Sequence, residues 1–365
     1  MNRMFEKTEI KGVVLKNRFV RSATYEGMAT DDGAATPRLI ETMSDLAKGG
    51  VGLIITGHAY VLEEGKAGPW QLGAHRDDLI PGLQDMTDAV HRCGGKIMMQ
   101  LSHAGRFAFK HTPAVVSDQG EPGAPKAKEI DADGISRIVS AFASAARRAK
   151  ESGFDGVQIH CAHGYLLNQF LSPAFNQRRD NYGGSIENRT RIHVEIIRAV
   201  REAVGEDYPV IIKLNGQDFI DNGLSIEDSL QAGEIMARAG IDAIELSGGL
   251  ISGPMVPSRV GIKNEEDEAY FQEQAREFKK RIDIPLILVG GIRSFQVAER
   301  LVESGTADYI SLCRPLIREP NLINRWESGD LRRALCMSDN RCFKTAFSGN
   351  GVSCAAVKDK KVNIN

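Results

Sequence analysis

Apolar residues along this chain gather in eight short runs, near residues 19–23, 51–57, 96–101, 155–160, 209–214, 242–247, 286–290 and 308–313. Their length and β-branched content mark them as strands. Between the runs the spacing is helical. Over 133–151, Ile135, Ile138, Val139, Phe142, Ala146 and Ala149 keep one face dry. A second helix opens at Ser225, with Asp228 three residues on as in a capping box, and closes at Gly240. A recurrent phrase joins helix to strand: "LAKGGVGLIITG", "AKESGFDGVQIH", "ARAGIDAIELSGG" and "VESGTADYISLC". A glycine just past a helix takes the left-handed conformation that ends it and turns the chain into the next strand.

Strands this apolar, alternating with helices, predict a parallel sheet covered on its outer side. Eight such units predict an α/β fold, a closed (β/α)₈ TIM barrel with an N-terminal extension. Counting alone leaves a doubly wound open sheet as the alternative. The barrel is expected over 1–330, and a tail with no barrel unit, packed on it, over 331–365. The long Gly- and Pro-rich loop within 105–130 reads as a lid or rim.

The 365 residues suffice for one barrel. A net charge of −2, with 42% hydrophobic and 26% charged residues, points away from nucleic acid and towards a small-molecule partner. No apolar run approaches the roughly 20 residues of a membrane span, and the start "MNRMFEKTEIKG" lacks a secretory apolar segment. A cytoplasmic protein is expected. Cys93, Cys161 and Cys313 read as ordinary semi-buried thiols.

In such barrels the site lies at the carboxyl ends of the strands. There the sequence places Gln100 after strand three, His160 with His163 and Tyr165 after strand four, Lys213 on strand five, Gly290 and Gly291 after strand seven, and Cys313 and Arg314 after strand eight. Glycines followed by Arg293 and Ser294 at a helix start suit a phosphate, although they also suit a plain turn. Three readings of the histidine pair stand at this point. They are metal ligands, for which no H-E-x-x-H or acidic partner is present; structural histidines held by backbone; or two N–H donors converging on one substrate oxygen. In the last reading Tyr165 donates a proton to carbon as a conjugated double bond accepts hydride.

Hydride chemistry needs a cofactor, since no side chain reversibly stores two electrons. FMN would fill the phosphate site, with Gln100 on a pyrimidine edge and Lys213 near the charge of the reduced ring. A metal-dependent hydrolase or lyase and a non-catalytic binder of phosphorylated ligands remain the alternatives.

The segments "LKNRFVRSA", "VGLIITG", "QLSHAGR", "GFDGVQIHCAHGYLLNQFLSPAFNQRRDNYGGSIENRTR" and "CRPLIREP" resemble the Old Yellow Enzyme family of FMN-dependent ene-reductases. The resemblance implies an FMN-filled barrel reduced by NADH or NADPH, with His160 and His163 binding the substrate oxygen and Tyr165 protonating. It implies Ser22, Ala23, Thr24 and Tyr25 beside the isoalloxazine, Tyr25 also facing substrate, with His58, Gln100 and Lys213 near the ring and Gly290, Gly291, Cys313 and Arg314 at the phosphate. By analogy it also implies a homo-oligomer. Lys213 stands where many relatives carry arginine, and Tyr25, His58 and Cys313 stand where smaller residues are usual. Larger relatives, similar to dienoyl-CoA reductase, hold a four-iron cluster after the barrel. Here Cys336, Cys342 and Cys354 remain, but Asp339 breaks the rhythm, which implies a cluster-free relative with no metal.

Overall fold

In this computed structural model, which describes residues 2–117 and 127–357, eight parallel strands close on themselves. They are β1 (Phe19–Arg21), β2 (Leu53–Ile55), β3 (Ile97–Ser102), β4 (Gly156–Cys161), β5 (Val210–Asn215), β6 (Ala243–Ser247), β7 (Leu286–Leu288) and β8 (Tyr309–Leu312). Each pairs with the next, and β8 returns to β1 through Ile310↔Phe19 and Leu312↔Arg21. The open-sheet alternative is thereby removed. Strands β1, β2 and β7 stop two residues short of the apolar runs, because Ser22–Ala23, Thr56–Gly57 and Val289–Gly290 bend away to build the rim.

The recurrent phrase is an α-to-β joint at all four places. Gly50, Gly153, Gly240 and Gly305 have φ of 93°, 82°, 111° and 70°, values that cost L-residues with a Cβ. Helix Ala132–Glu151 buries Ile135, Ile138, Phe142, Ala146 and Ala149 and is capped by Asp131. Ser225 caps helix Ile226–Arg238 by accepting from Asp228 N at 3.1 Å. The expected reciprocal half of the capping box is replaced, since the Asp228 carboxylate pairs with Arg189 at 2.9 Å. No helix among the described residues is long and apolar enough to cross a membrane.

Strand alternation stacks the barrel interior in layers. The lowest is apolar: Val20, Leu53, Ile55, Met98, Ile211, Ala243, Ile287 and Tyr309 pack with Ile10 and Leu15. The last two come from an antiparallel hairpin, Thr8–Ile10 with Val13–Leu15, that plugs the amino end. Its strands of three residues were too short to stand out in the sequence. Two residues further along the strands the side chains are Ser22, Gln100, Gln158, Lys213, Glu245 and Ser311, all buried. Two further still lie Thr24, Ser102, His160, Asn215, Ser247 and Cys313.

The tail crosses the carboxyl end of the barrel. Ala334 N donates to Arg293 O at 2.9 Å, Asn340 Nδ2 donates to Ser258 O, and Val352 N donates to Glu26 O at 2.7 Å. Of the 105–130 loop, residues 118–126 lie outside the described residues. Its two legs pair in parallel at Ala114–Val115 and Lys128–Glu129, and Arg178 donates to Val116 O and Ile130 O at 3.0 and 2.7 Å.

A Cβ at Gly305 would meet nothing within 4 Å, whereas one at Gly49, with an ordinary φ of −72°, would lie 1.8 Å from Pro320 O. Gly305→Ala is therefore expected to cost only the left-handed penalty, about 1–2 kcal/mol. Gly49→Ala should cost more despite its relaxed backbone. Urea denaturation of the two variants checks the order, and equal costs would mean the close approach to Pro320 relaxes freely.

Candidate active site

The turn after β4 sets the position of the histidines and the tyrosine. His163 is left-handed at φ 66° and Gly164 follows at φ 86°, a conformation that a non-glycine residue holds only where its surroundings fix it. Here Asn215 Oδ1 accepts from His163 N at 3.2 Å and Asn168 Oδ1 from Gly164 N at 2.6 Å. Asp218 Oδ1 in turn holds both asparagines, Asn215 at 2.9 Å and Asn168 at 3.2 Å. Tyr165 then starts helix Leu166–Leu171 as its cap residue.

His160, His163 and Tyr165 come together: ring centroids are 5.3 Å apart for the two imidazoles and 5.0 Å for His160 and Tyr165. His58 completes the group, 5.2 Å from Tyr165 and 6.0 Å from His160. Burial lowers the pKa of all three imidazoles. His58 falls to about 4, and His160 and His163, pressed further by Lys213 and their neighbouring imidazoles, fall well below the usual value. Each is therefore neutral, with one N–H and one bare nitrogen. Burial also pushes the Tyr165 phenol up to about 12, so it keeps its proton. His163 Nε2 lies 2.8 Å from Ser247 Oγ. If Ser247 donates, the His163 proton sits on Nδ1. His160 Nδ1 and His58 Nε2 are buried and find no partner among the described residues.

These side chains line a cavity of about 490 Å³, together with Ser22, Ala23, Thr24, Tyr25, Gln100, Lys213, Gly291, Cys313 and Arg314. Gly290 is not in its wall; its carbonyl accepts from Tyr270 N at 3.2 Å. Tyr25 presents its ring only, because its hydroxyl donates to Pro69 O, and that ring stacks on Phe347 at 4.7 Å. Thr24 Oγ1 lies 3.1 Å from Cys313 Sγ. The anion end also differs from expectation. The N–H groups of Arg293 and Ser294 are taken by the buried Glu268 carboxylate, at 2.8 and 2.9 Å, so that helix start is closed to a phosphate. Among the described residues the N–H groups of Gly291, Cys313 and Arg314 have no chain acceptor. Arg314, whose guanidinium is held by Arg259 O and Asn340 Oδ1 at 2.8 Å each, lines the same cavity.

Several residues in the cavity wall and beneath it were missed. Glu245 was visible as the one charge in "AIELS", the strand that follows Asp242. Its carboxylate can only accept, so Gln158 Nε2 donates to it at 2.9 Å, and Gln158 Oε1 then accepts from Gln100 Nε2 at 2.7 Å. The oxygen of Gln100 is left for a ligand. Phe343, Phe347, Ser338 and Asn340 enter from the tail, where nothing in the sequence tied them to the barrel. Cys336, Asp339, Cys342 and Cys354 share a small separate cavity. Burial raises both the Cys336 and Cys342 thiols, the latter to about 12, which disfavours the thiolate that a metal needs. Among the described residues no group of three or more His, Cys, Asp or Glu is placed to hold a metal ion.

Residues 3–332 match the family model described as NADH:flavin oxidoreductase / NADH oxidase family. The chain belongs to this family. The chain is 35% identical over 354 residues to the NADH oxidase of Thermoanaerobacter brockii, a match that covers 92% of this chain and 52% of that protein. The chain thus spans about half the length of that relative. Among solved structures, the 2-naphthoyl-CoA reductase complex superposes with a TM-score of 0.90 at 28% identity, over 97% of this chain and 56% of that one. The old yellow enzyme homologue from Zymomonas mobilis superposes at 0.77 and 27% identity, over 92% and 95% of the two chains. The resemblance to Old Yellow Enzyme therefore holds over the barrel.

FMN, the cofactor this family implies, suits the donor set. Gln100 offers an acceptor on the floor, and Lys213 and Ser22 offer polar atoms beside it. Three main-chain donors and Arg314 stand at the β7–β8 end, where this architecture binds phosphate.

His58, His103 and His193, each buried with a pKa near 4, gain protons on unfolding below the ordinary imidazole value of about 6.5. Their contribution is complete above that pH and is lost as pH falls towards 4, by on the order of 1.4 kcal/mol per pH unit for each fully engaged histidine. The urea midpoint at pH 5 should lie below that at pH 7.5. Equal midpoints would mean that these imidazoles charge inside the fold.

Proposed function

We propose that this protein is an FMN-dependent oxidoreductase that uses NADH or NADPH to reduce activated C=C bonds of α,β-unsaturated carbonyl-type compounds. The observation that carries the reading is the meeting of two neutral imidazoles and a protonated phenol at the mouth of a polar-floored cavity. When bound, FMN supplies the hydride that it has taken from the nicotinamide.

The chain's own residues supply the rest. His160 and His163, being neutral, can each donate one N–H to a substrate oxygen without adding a charge that must be desolvated, and they stabilise the negative charge that develops there. The left-handed turn held by Asn215, Asn168 and Asp218 keeps the second imidazole beside the first. Tyr165 holds a proton that burial prevents it from losing in the neutral range, and donates it to the carbon that becomes a carbanion. The rings of Tyr25, Phe343 and Phe347, with Ile251 and Val256, give the mouth apolar walls, which exclude water and suit an apolar substituent on the alkene.

Purified protein should be yellow and should bleach anaerobically with NADH or NADPH; colourless protein that FMN cannot reconstitute would overturn the proposal. His160→Ala/His163→Ala should keep FMN and lose at least tenfold in affinity for a phenolic ligand, about 1.4 kcal/mol, read by the ligand's charge-transfer band. For Tyr165→Phe, stopped-flow should find flavin reduction persisting while the alkene half-reaction slows by roughly 10²–10⁴-fold. Equal slowing of both half-reactions would make Tyr165 structural.

A further inference from the structure

Lys213 is not a lone cation beneath the cavity. Its ammonium donates to Ser22 Oγ at 2.7 Å and lies 3.1 Å from Glu245 Oε1. The two residues are register partners on β5 and β6. Glu245 is 0% exposed, and its acceptor sites are filled from within the barrel. Ser22 Oγ and Ser311 Oγ donate to Oε1 at 2.7 and 2.8 Å, and Gln158 Nε2 donates to Oε2 at 2.9 Å. Burial opposes ionisation of this carboxyl, but Lys213 and the three hydrogen bonds outweigh it and hold its pKa below the usual value. A carboxylate that accepts three neutral donors and one cation is built to remain charged.

We infer that Glu245 is a positioning residue that sets the charge Lys213 presents to the flavin, holding the reduction potential below the value a lone lysine would give. The inference rests on the flavin reading above. Hydride from the nicotinamide carries two electrons and one proton, so the flavin gains a net negative charge on reduction. An isolated buried cation beside the ring would favour that charge strongly. A cation balanced 3.1 Å away favours it weakly. The flavin therefore releases hydride to an alkene more readily than it would above a lone lysine.

The test uses four FMN-loaded proteins: wild type, Glu245→Gln, Lys213→Met and the double variant. Each midpoint potential is read by dye-equilibrated reductive titration. Glu245→Gln should raise the potential and Lys213→Met should lower it, each by at least a tenfold change in the oxidised-to-reduced ratio, about 30 mV for a two-electron couple. The double variant should return close to wild type. Loosened packing would not give opposite shifts that cancel. An unmoved or lowered potential in Glu245→Gln, or a double variant that fails to return, overturns the inference. Should Glu245→Gln alone not fold, removing the carboxylate in the Lys213→Met background must still raise the potential, and no rise there overturns it equally. Failure of the flavin reading is distinct, because wild type itself would then take up no FMN.

Discussion

A charged pair at the centre of a closed barrel has no water to fall back on, so Lys213 and Glu245 must be satisfied by side chains from other strands. Bringing two such charges out of water costs several kcal/mol per ion, and the cost is recovered only when every remaining lone pair and proton finds a partner. Ser22, Ser311, Gln158 and, through Gln158, Gln100 do this for the carboxylate from β3, β4, β8 and the segment after β1. The network constrains the rest of the interior. It demands polar residues at one level of six strand positions, which places the apolar plug two residues below and the histidine rim two residues above. A shift of one residue in any of these strands would turn its member outward and strand a buried charge.

The relation between that layer and the sequence explains what could be read in advance. Strand positions, the four glycine joints and the closed barrel follow from local rules: short apolar runs, helical spacing, and a left-handed residue where a helix must stop. His160, His163 and Tyr165 were legible because they cluster within one turn, where chain proximity guarantees spatial proximity. Glu245 was not recognised, because a charge inside a buried strand gains its meaning only from partners on other strands. The same holds for Phe343 and Phe347, which reach the cavity through the path of the tail. The helix start at Arg293 and Ser294 looked suited to an anion and has one already, the side chain of Glu268, contributed from 25 residues earlier. Capping by a remote carboxylate leaves no local pattern.

Burial does opposite things to the two kinds of group at the rim, and both favour the same chemistry. It removes charge from the imidazoles and retains the proton on the phenol, so donors are present across the neutral range without any cation to solvate. These depend on the surrounding walls rather than on ionic partners. Among the described residues, His160 and His58 have nitrogens left bare, which is the state expected of groups kept for a visiting molecule.

The stacking of Phe347 on Tyr25 divides labour within the chain. The polar floor of the cavity is made from the barrel strands, deep in the closed sheet, while part of the entrance wall comes from Phe343 and Phe347, which follow the barrel in sequence. Substitutions at Phe343 or Phe347 change the entrance without touching the side chains of the floor. The entrance and the floor are thereby encoded in separate stretches of sequence, so that one can drift by substitution while the other is kept.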